Sequence, residues 1–313
     1  MRDLVQLGSS QQKPLKTPEQ KSGLRARRPE WMRVKIQDSK TYKDVDKLLD
    51  GLELHTVCEE ARCPNIWECW GKHRTATFLI LGDICTRNCR YCAITKGRPK
   101  PPDPEEPEKV ARAVAHLGLA HAVVTSVERD DLPDYGSSHF AQTVAAIRAQ
   151  NAKIRIEVLT PDFMGDTAAL ERVLRSGPDV YNHNTETVPR LFPRMRAKGN
   201  FQRSMELLGR VDAYRREHKS SMITKSGMMV GLGETIDEVL AVMDALRAVN
   251  CDVLTIGQYL NPTVKHAPID RYYAPEEFAE IEKAAKARGF AHVEAGPLVR
   301  SSYHAASHVP EKT

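Results

Sequence analysis

The sequence predicts an α/β fold, a partial (β/α)6 barrel with N-terminal and C-terminal extensions. Three observations predict it. Apolar strand-like runs alternate with helical stretches of ten or more residues through the middle of the chain, the pattern of right-handed βαβ crossovers and a parallel sheet. Six such units are too few for a closed eight-fold barrel, so the sheet should stay open. Unusual polar residues recur where strands should end, at Thr125/Ser126, Glu157, Asn182-His183-Asn184, Lys225 and Gln258. Parallel barrels keep their working residues at those C-terminal ends.

The elements follow in order. Residues 1–30 are polar and rich in Pro, Lys and Arg and read as a flexible basic arm. Residues 31–75 form an N-terminal extension. It opens with a helical pattern over Tyr42–Leu52, in which Val45, Leu48, Leu49 and Leu52 share a stripe. An irregular segment with Pro64, Trp67 and Trp70 follows, the tryptophans being core or a low-dielectric lid over a metal site. Residues 76–295 carry the barrel. Strands are expected at Thr77–Leu81, His121–Ser126, Ile154–Leu159, Asp179–Asn184, Met222–Val230 and Val253–Ile256, with a short last one at His292–Glu294. Helices are expected at Glu108–Leu117, Ser138–Gln150, Thr167–Arg175, Phe201–Glu217, Ile236–Val249 and Pro275–Arg288. Residues 296–313 are a C-terminal extension.

With 313 residues, 41% apolar and 28% charged, the chain has the composition of an ordinary soluble protein with a sizeable core. It contains no run of about 18 apolar residues, which excludes a membrane-spanning helix. The first twenty residues lack an apolar signal core, and Asp3 and Glu19 oppose a transit peptide, so the expected location is cytoplasmic. The net charge of +5 owes much to the basic run Lys21–Lys35. No nucleic-acid module surrounds that run, which reads as a solvated arm or as a dock for an acidic protein. Neither nucleic acid nor membrane is an expected partner.

Six of the seven cysteines fall into two triplets, Cys58/Cys63/Cys69 (C-x4-C-x5-C) and Cys85/Cys89/Cys92 (C-x3-C-x2-C). Clustered cysteines in a chain of this composition favour metal binding over disulfides. Three thiolates leave one iron of a four-iron cluster without a protein ligand, and an open iron can bind and activate a small molecule. Zinc is the rival occupant. It wants four ligands, which His55 and His73 could complete on paper. The seventh cysteine, Cys251, opens an apolar run and reads as core. The glycine-rich Gly227–Glu234 marks tight backbone geometry and lacks the Lys-Ser/Thr of a phosphate loop.

The loop Cys85-Thr86-Arg87-Asn88-Cys89-Arg90-Tyr91-Cys92 resembles the signature of the radical S-adenosylmethionine enzymes. The segment Cys58-Glu59-Glu60-Ala61-Arg62-Cys63-Pro64-Asn65, with Cys69 after it, closely resembles the lipoyl synthase family. Further matches in order are Thr125-Ser126-Val127-Glu128-Arg129-Asp130-Asp131, Asn182-His183-Asn184, Thr224-Lys225-Ser226-Gly227, Gly257-Gln258-Tyr259-Leu260 and Arg300-Ser301-Ser302-Tyr303. The resemblance runs from about Arg28 to His304, with no cysteine of the pattern missing.

The resemblance implies two [4Fe–4S] clusters and S-adenosylmethionine. Cys85, Cys89 and Cys92 would hold the cluster whose free iron chelates the cofactor's methionyl group, and electron transfer would cleave the sulfonium to a 5′-deoxyadenosyl radical. Tyr91 would lie against the adenine or pack under the loop. Thr125 and Ser126 would bind the methionyl amine or carboxylate, and Glu157 or Asn182 the ribose hydroxyls. Lys225, Gly231 and Gln258 complete the implied cofactor contacts. Cys58, Cys63 and Cys69 would hold an auxiliary cluster with a serine of the RSSY motif as fourth ligand, Ser302 being favoured over Ser301, while Arg300 and His304 orient it or cover it. An alkoxide suits a soft cluster poorly, which makes sense if that iron must be released.

The implied reaction inserts two sulfur atoms, taken from the auxiliary cluster, at carbons 6 and 8 of a protein-bound octanoyl-lysine. The implied partners are octanoylated lipoyl carrier domains, such as 2-oxoacid dehydrogenase acyltransferase subunits and the glycine cleavage carrier protein. An electron donor such as ferredoxin or flavodoxin and iron–sulfur carrier proteins complete the set. The rivals are another two-cluster radical sulfurtransferase (a methylthiotransferase or a biotin-synthase-like enzyme) and, from a different class, a non-catalytic iron–sulfur electron carrier. Carriers usually close their clusters with four cysteines.

Overall fold

The described residues form ten strands: β1 (His55–Thr56), β2 (Thr77–Ile80), β3 (Ile84–Cys85), β4 (Thr95–Lys96), β5 (His121–Ser126), β6 (Arg155–Leu159), β7 (Val180–Asn182), β8 (Ile223–Val230), β9 (Val253–Gln258) and β10 (His292–Gly296). The structure is a computed structural model that describes residues 28–33, 40–61, 63–70 and 77–308. Most of the expected basic arm, with Arg62 and His73, lies outside the described residues. Eight strands make one sheet in the order β1-β2-β5-β6-β7-β8-β9-β10. From β2 to β10 every pairing is parallel, and β1 alone runs antiparallel, with His55 opposite Leu79 and Thr56 opposite Phe78. The two edges do not pair, so the sheet is open. This is the partial barrel expected, with six β-then-α units and β10 as a closing strand.

The strands are near-continuous apolar runs because both faces are covered, by helices outside and by side chains within. All four residues of β2 and all six of β9 are buried. The helices bury a single stripe. In Thr167–Arg175 these are Ala169, Leu170, Val173 and Leu174, and Asp166 caps the start by accepting from the Ala169 N–H at 2.7 Å. Thr235 and Glu238 form a capping box at the head of Ile236–Ala248. Expected and observed helix bounds agree to within two residues throughout the barrel.

Two strand-end expectations need correction. Lys225 is the third residue of the eight-residue β8, and Glu157 the third of the five-residue β6. The parallel ladder between β8 and β9 runs from Lys225 opposite Val253 to Val230 opposite Gln258. That pairing carries β8 well past Lys225 and leaves its side chain inside the barrel. Cys251 is fully buried core, as expected. No helix among the described residues is long and apolar enough to cross a membrane.

Candidate functional site

The second cysteine loop leaves β2 through Leu81 and Gly82, both in the left-handed region with φ of 70° and 85°. Pairing of β3 with β4, Ile84 opposite Thr95 and Cys85 opposite Lys96, pinches the loop shut at its base. Its backbone is tied to three neighbours. Thr86 donates from both N and Oγ1 to the Glu128 carbonyl at 3.1 and 2.9 Å, Arg90 N donates to the Met195 carbonyl, and Ala267 N donates to the Arg90 carbonyl. His266 Nε2 lies 3.0 Å from the Cys92 carbonyl. Loops after three different strands thus hold one loop in place.

Arg87, 2% exposed, is the internal post of this arrangement. Its guanidinium meets Glu128 at 3.1 Å, Asp130 through a fork at 2.8–3.1 Å, and Asp162 at 2.7 Å. Burial alone would depress its ionisation, but the hydrogen bonds it donates to Asp130 and Asp162 and the charge of Glu128 lift it above the ordinary value. A buried guanidinium with one partner removed would be strongly destabilising, so the three carboxylates act as a set.

Cys85, Cys89 and Cys92 line one cleft with Tyr91, Ile94, Thr125, Ser126, Val127, Glu128, Leu159, Thr160, Pro161, Asn184, Glu186 and Arg196. The cleft encloses about 730 Å³, part of it open to solvent. Burial raises the Glu128 carboxyl to about 7, against the pull of Arg87, and raises Glu186 as well. Arg196 stays firmly charged despite burial, because Tyr91, Glu186 and Glu128 surround it. Ser126 Oγ is buried and has no hydrogen-bond partner among the described residues. The wall therefore presents three cations (Arg87, Lys96 and Arg196), two carboxylates, an aromatic ring and a buried serine hydroxyl around three thiols.

The first triplet sits beside the start of β2, where β1 pairs with it. Tyr42 stacks on Trp67 at 4.5 Å and touches Trp70 at 5.2 Å, which packs the helix Lys40–Gly51 against the cysteine segment. Trp70 is fully buried, and with the Thr77 N–H its indole favours the thiolate of Cys58. Burial dominates nonetheless and pushes Cys58 and Cys69 up to about 12, and Cys63 and Cys85 also upward. Cys89 and Cys92 move the same way, Cys92 to about 12. None of the seven cysteines forms a disulfide. Such sites prefer a cation or the neutral thiol to a bare thiolate.

The C-terminal segment folds back over this triplet. Asn65 Nδ2 donates to the Leu298 carbonyl at 2.8 Å, Thr77 Oγ1 donates to Ser302 Oγ at 2.8 Å, and Tyr303 Oη donates to Glu68 at 3.1 Å. Each bond spans at least 225 residues of sequence. Its seat is prepared by glycine: a Cβ on Gly257 would stand 2.1 Å from the Val299 carbonyl oxygen, and one on Gly227 would stand 2.8 Å from Ser301 Oγ.

Among the described residues no group of three or more His, Cys, Asp or Glu side chains closes around a single-ion position. A tetrahedral zinc with bonds of about 2.3 Å needs its sulfurs much closer together than a four-iron cluster does, whose irons sit at separate corners. His55, one of the two histidines that could have completed a zinc site, faces Glu60 at 3.5 Å. Three thiols with no fourth cysteine and apolar cover fit a cluster at each triplet, and the second triplet also lines the cleft.

Residues 79–246, more than half the chain, match the Radical SAM superfamily, and residues 4–63 match the N-terminal domain of lipoyl synthase of the Radical SAM family. The lipoyl synthase of Roseiflexus sp. (strain RS-1) is 59% identical over 285 residues, 91% of this chain and 93% of that protein. The chain belongs to the lipoyl synthase family. Relatives of the same name from Chloroflexus aurantiacus (strain ATCC 29366 / DSM 635 / J-10-fl) and Halalkalibacterium halodurans share 58% and 51% identity over 91% of the chain, and cover 92% and 93% of those proteins. Among solved structures, Streptococcus suis SuiB bound to S-adenosylmethionine superposes with a TM-score of 0.53 at 13% identity, over 75% of this chain and 54% of that one. At that identity the likeness speaks for the fold alone.

Of the cofactor contacts that the lipoyl synthase resemblance implies, the structure brings Tyr91, Thr125 and Ser126 to the cleft. The Thr125 hydroxyl already donates to the Leu159 carbonyl at 2.7 Å, which leaves it only as an acceptor. Glu157, Asn182 and Lys225 are placed elsewhere. All three are fully buried inside the barrel, where Lys225 Nζ lies 2.9 and 3.1 Å from the Glu157 oxygens and Asn182 Nδ2 donates to Glu157 at 2.9 Å. Gln258 spends its amide on backbone, donating to the Arg271 and Tyr259 carbonyls and accepting from Tyr273 N. Gly231, at φ 98°, and Leu232 donate their N–H groups to Glu234, so that loop is satisfied within itself. A Cβ on Gly231 would stand 2.1 Å from Gln258 Nε2, which gives that glycine a packing reason.

Sequence reasoning did not single out Glu186 and Arg196. Glu186 takes a left-handed φ of 67° that no local signal announces. Arg196 lies in a segment with other arginines, and only its bond to the Asn184 carbonyl at 2.6 Å and its place over the Phe192 ring distinguish it.

Proposed function

We propose that the chain is the enzyme its family predicts, inserting two sulfur atoms at carbons 6 and 8 of a protein-bound octanoyl-lysine. Carbons 6 and 8 of an octanoyl chain carry no acidic proton and no leaving group, so general acid–base or nucleophilic catalysis has nothing to act on. When bound, the two clusters and S-adenosylmethionine supply a hydrogen-abstracting 5′-deoxyadenosyl radical and the sulfide to be inserted.

The chain's own residues position and shield that chemistry. Cys85, Cys89 and Cys92 hold the cluster at the cleft and leave one iron for the cofactor. Arg196 suits the methionyl carboxylate, since a buried guanidinium makes strong charge-assisted bonds. Glu128 and Glu186 suit the ammonium and sulfonium, and a cation there would draw Glu128 below its value of about 7. Ser126 Oγ is free to accept or donate, and Tyr91 offers a ring face. Ile94, Val127, Leu159 and Pro161 make the wall apolar, which excludes water and admits an alkyl chain. Cys58, Cys63 and Cys69 hold the auxiliary cluster with Ser302. Arg300, half-buried, offsets part of the burial cost of a thiolate at Cys63.

One observation carries the reading. A C-terminal RSSY segment reaches back across 225 residues to set Ser302 beside Thr77, whose N–H favours the thiolate of Cys58. A simple electron carrier has no use for that strap. The substrate is an octanoylated carrier domain and the reductant a small electron-transfer protein. The test is anaerobic reconstitution to about eight irons, from two four-iron clusters, followed by reaction with an octanoyl-lysine peptide. Lipoyl peptide and 5′-deoxyadenosine should both form. Deoxyadenosine without sulfur insertion, at full iron content, would reject the substrate assignment.

A further inference from the structure

The two serines of the strap face different ways. Ser302 meets Thr77 on the side of the first triplet, whereas Ser301 Oγ donates to Asn184 Oδ1 at 2.6 Å on the side of the cleft. The far end of the same amide is also committed, Asn184 Nδ2 donating to Glu186 Oε1 at 3.1 Å. The Asn184 carbonyl accepts from Arg196 at 2.6 Å. Glu186, Arg196 and Asn184 all line the cleft. Gly227 leaves the room for this meeting, since a Cβ there would stand 2.6–2.8 Å from Thr255 Oγ1, Asn184 Oδ1 and Ser301 Oγ.

We propose that Asn184 and Ser301 form a positioning pair that sets the register of the C-terminal strap, and with it the place of Ser302, from the wall of the cofactor cleft. The inference rests on the reading of the two triplets given above. Only a carboxamide satisfies both ends of this link: it accepts from the serine hydroxyl and donates to the Glu186 carboxylate. An aspartate keeps the acceptor and loses the donor, and an alanine loses both. Because Glu186 is a cleft wall, a cationic ligand that engages its carboxylate changes the load on the Asn184 amide. Contact at the cleft therefore reaches the strap through two hydrogen bonds, without a change of fold. Ser301 is the anchor, and Ser302 is the residue the anchor holds in place.

Hydrogen exchange on the full chain without cofactors tests the anchor directly. In Asn184→Ala and Ser301→Ala the amides of residues 298–303 should exchange roughly fivefold faster than in the wild type, the loss expected for one net hydrogen bond. The double variant should be no faster than either single one, because the two act as a unit. Asn184→Asp should keep the strap's slow exchange, since Ser301 still has its acceptor, yet raise the KM for S-adenosylmethionine through repulsion of Glu186. In reconstituted enzyme Ser301→Ala should hold full iron, keep forming 5′-deoxyadenosine and yield less lipoyl product per deoxyadenosine. Wild-type exchange in both alanine variants would overturn the proposal, as would additive effects in the double variant. Loss of the auxiliary cluster's spectroscopic signal in Ser301→Ala but not in Ser302→Ala would also overturn it. Failure of the wild type to lipoylate the peptide would reject the function while leaving the exchange result to judge the pair.

Discussion

Replacing Lys225 with Met should expose the cost of the charge network inside the barrel. Lys225 and Glu157 are both fully buried, with Nζ 2.9 and 3.1 Å from the carboxylate oxygens. Burial alone would push the Glu157 carboxyl up, but Lys225 and then His121 override it and hold it at about 2, against an ordinary 4.5. A shift of that size is worth ~3 kcal/mol at about 1.4 kcal/mol per pH unit. That agrees with the roughly 3–5 kcal/mol lost when a buried pair is broken from one side. The folded value lies below the unfolded one, so the stabilisation is complete above about pH 4.5 and fades as pH falls towards 2. In Lys225→Met the stranded carboxylate is penalised at neutral pH and relieved by protonation. The deficit against wild type should thus be largest near pH 7 and shrink towards pH 4. Thermal unfolding followed at several pH values should show a drop of ~5–10 °C near neutrality. The double variant Glu157→Gln/Lys225→Met should recover part of it, because no buried charge remains unpaired. A deficit under about 1 kcal/mol, or one that does not change between pH 7 and pH 4, would refute the reasoning.

Two further outcomes follow from the site. Gly257→Ala should leave the barrel folded by circular dichroism but displace the strap, because its Cβ would collide with the Val299 carbonyl oxygen at 2.1 Å. Lipoyl formation should fall at least tenfold while deoxyadenosine formation continues, as read by product analysis. Arg196→Met should raise the KM for S-adenosylmethionine by roughly 10- to 100-fold, the effect of losing a charge-assisted bond worth about 1.5–3 kcal/mol. An unchanged KM would remove Arg196 from the cleft's binding groups.

The barrel was legible in the sequence because a buried parallel strand must be apolar on both faces and its helices must bury one stripe. Hence Thr167–Arg175 and Phe201–Glu217 appear where the pattern puts them. The cysteine loops were legible because metal ligation fixes residue type and spacing together. The span of β8 was legible, expected at Met222–Val230 and found at Ile223–Val230, but reading Lys225 and Glu157 as strand-end residues was not consistent with such spans, because each is the third residue of its strand. A polar residue in a parallel barrel can point into the mouth or into a buried network, and only the register distinguishes Thr125 from Glu157. Gln258, an expected cofactor contact, and its neighbour Gly257 both have packing duties in the structure. Gly257 clears space for the strap, and Gln258 pins the backbone at Arg271 and Tyr273. Such duties are long-range and leave no periodic trace.

The two triplets do different work, and Cys58→Ala separates them. Reconstituted Cys58→Ala should still cleave S-adenosylmethionine to 5′-deoxyadenosine in the presence of octanoyl-lysine peptide, while forming no lipoyl product. Loss of cleavage in Cys58→Ala, with retention in Cys85→Ala, would contradict the assignment of both sites.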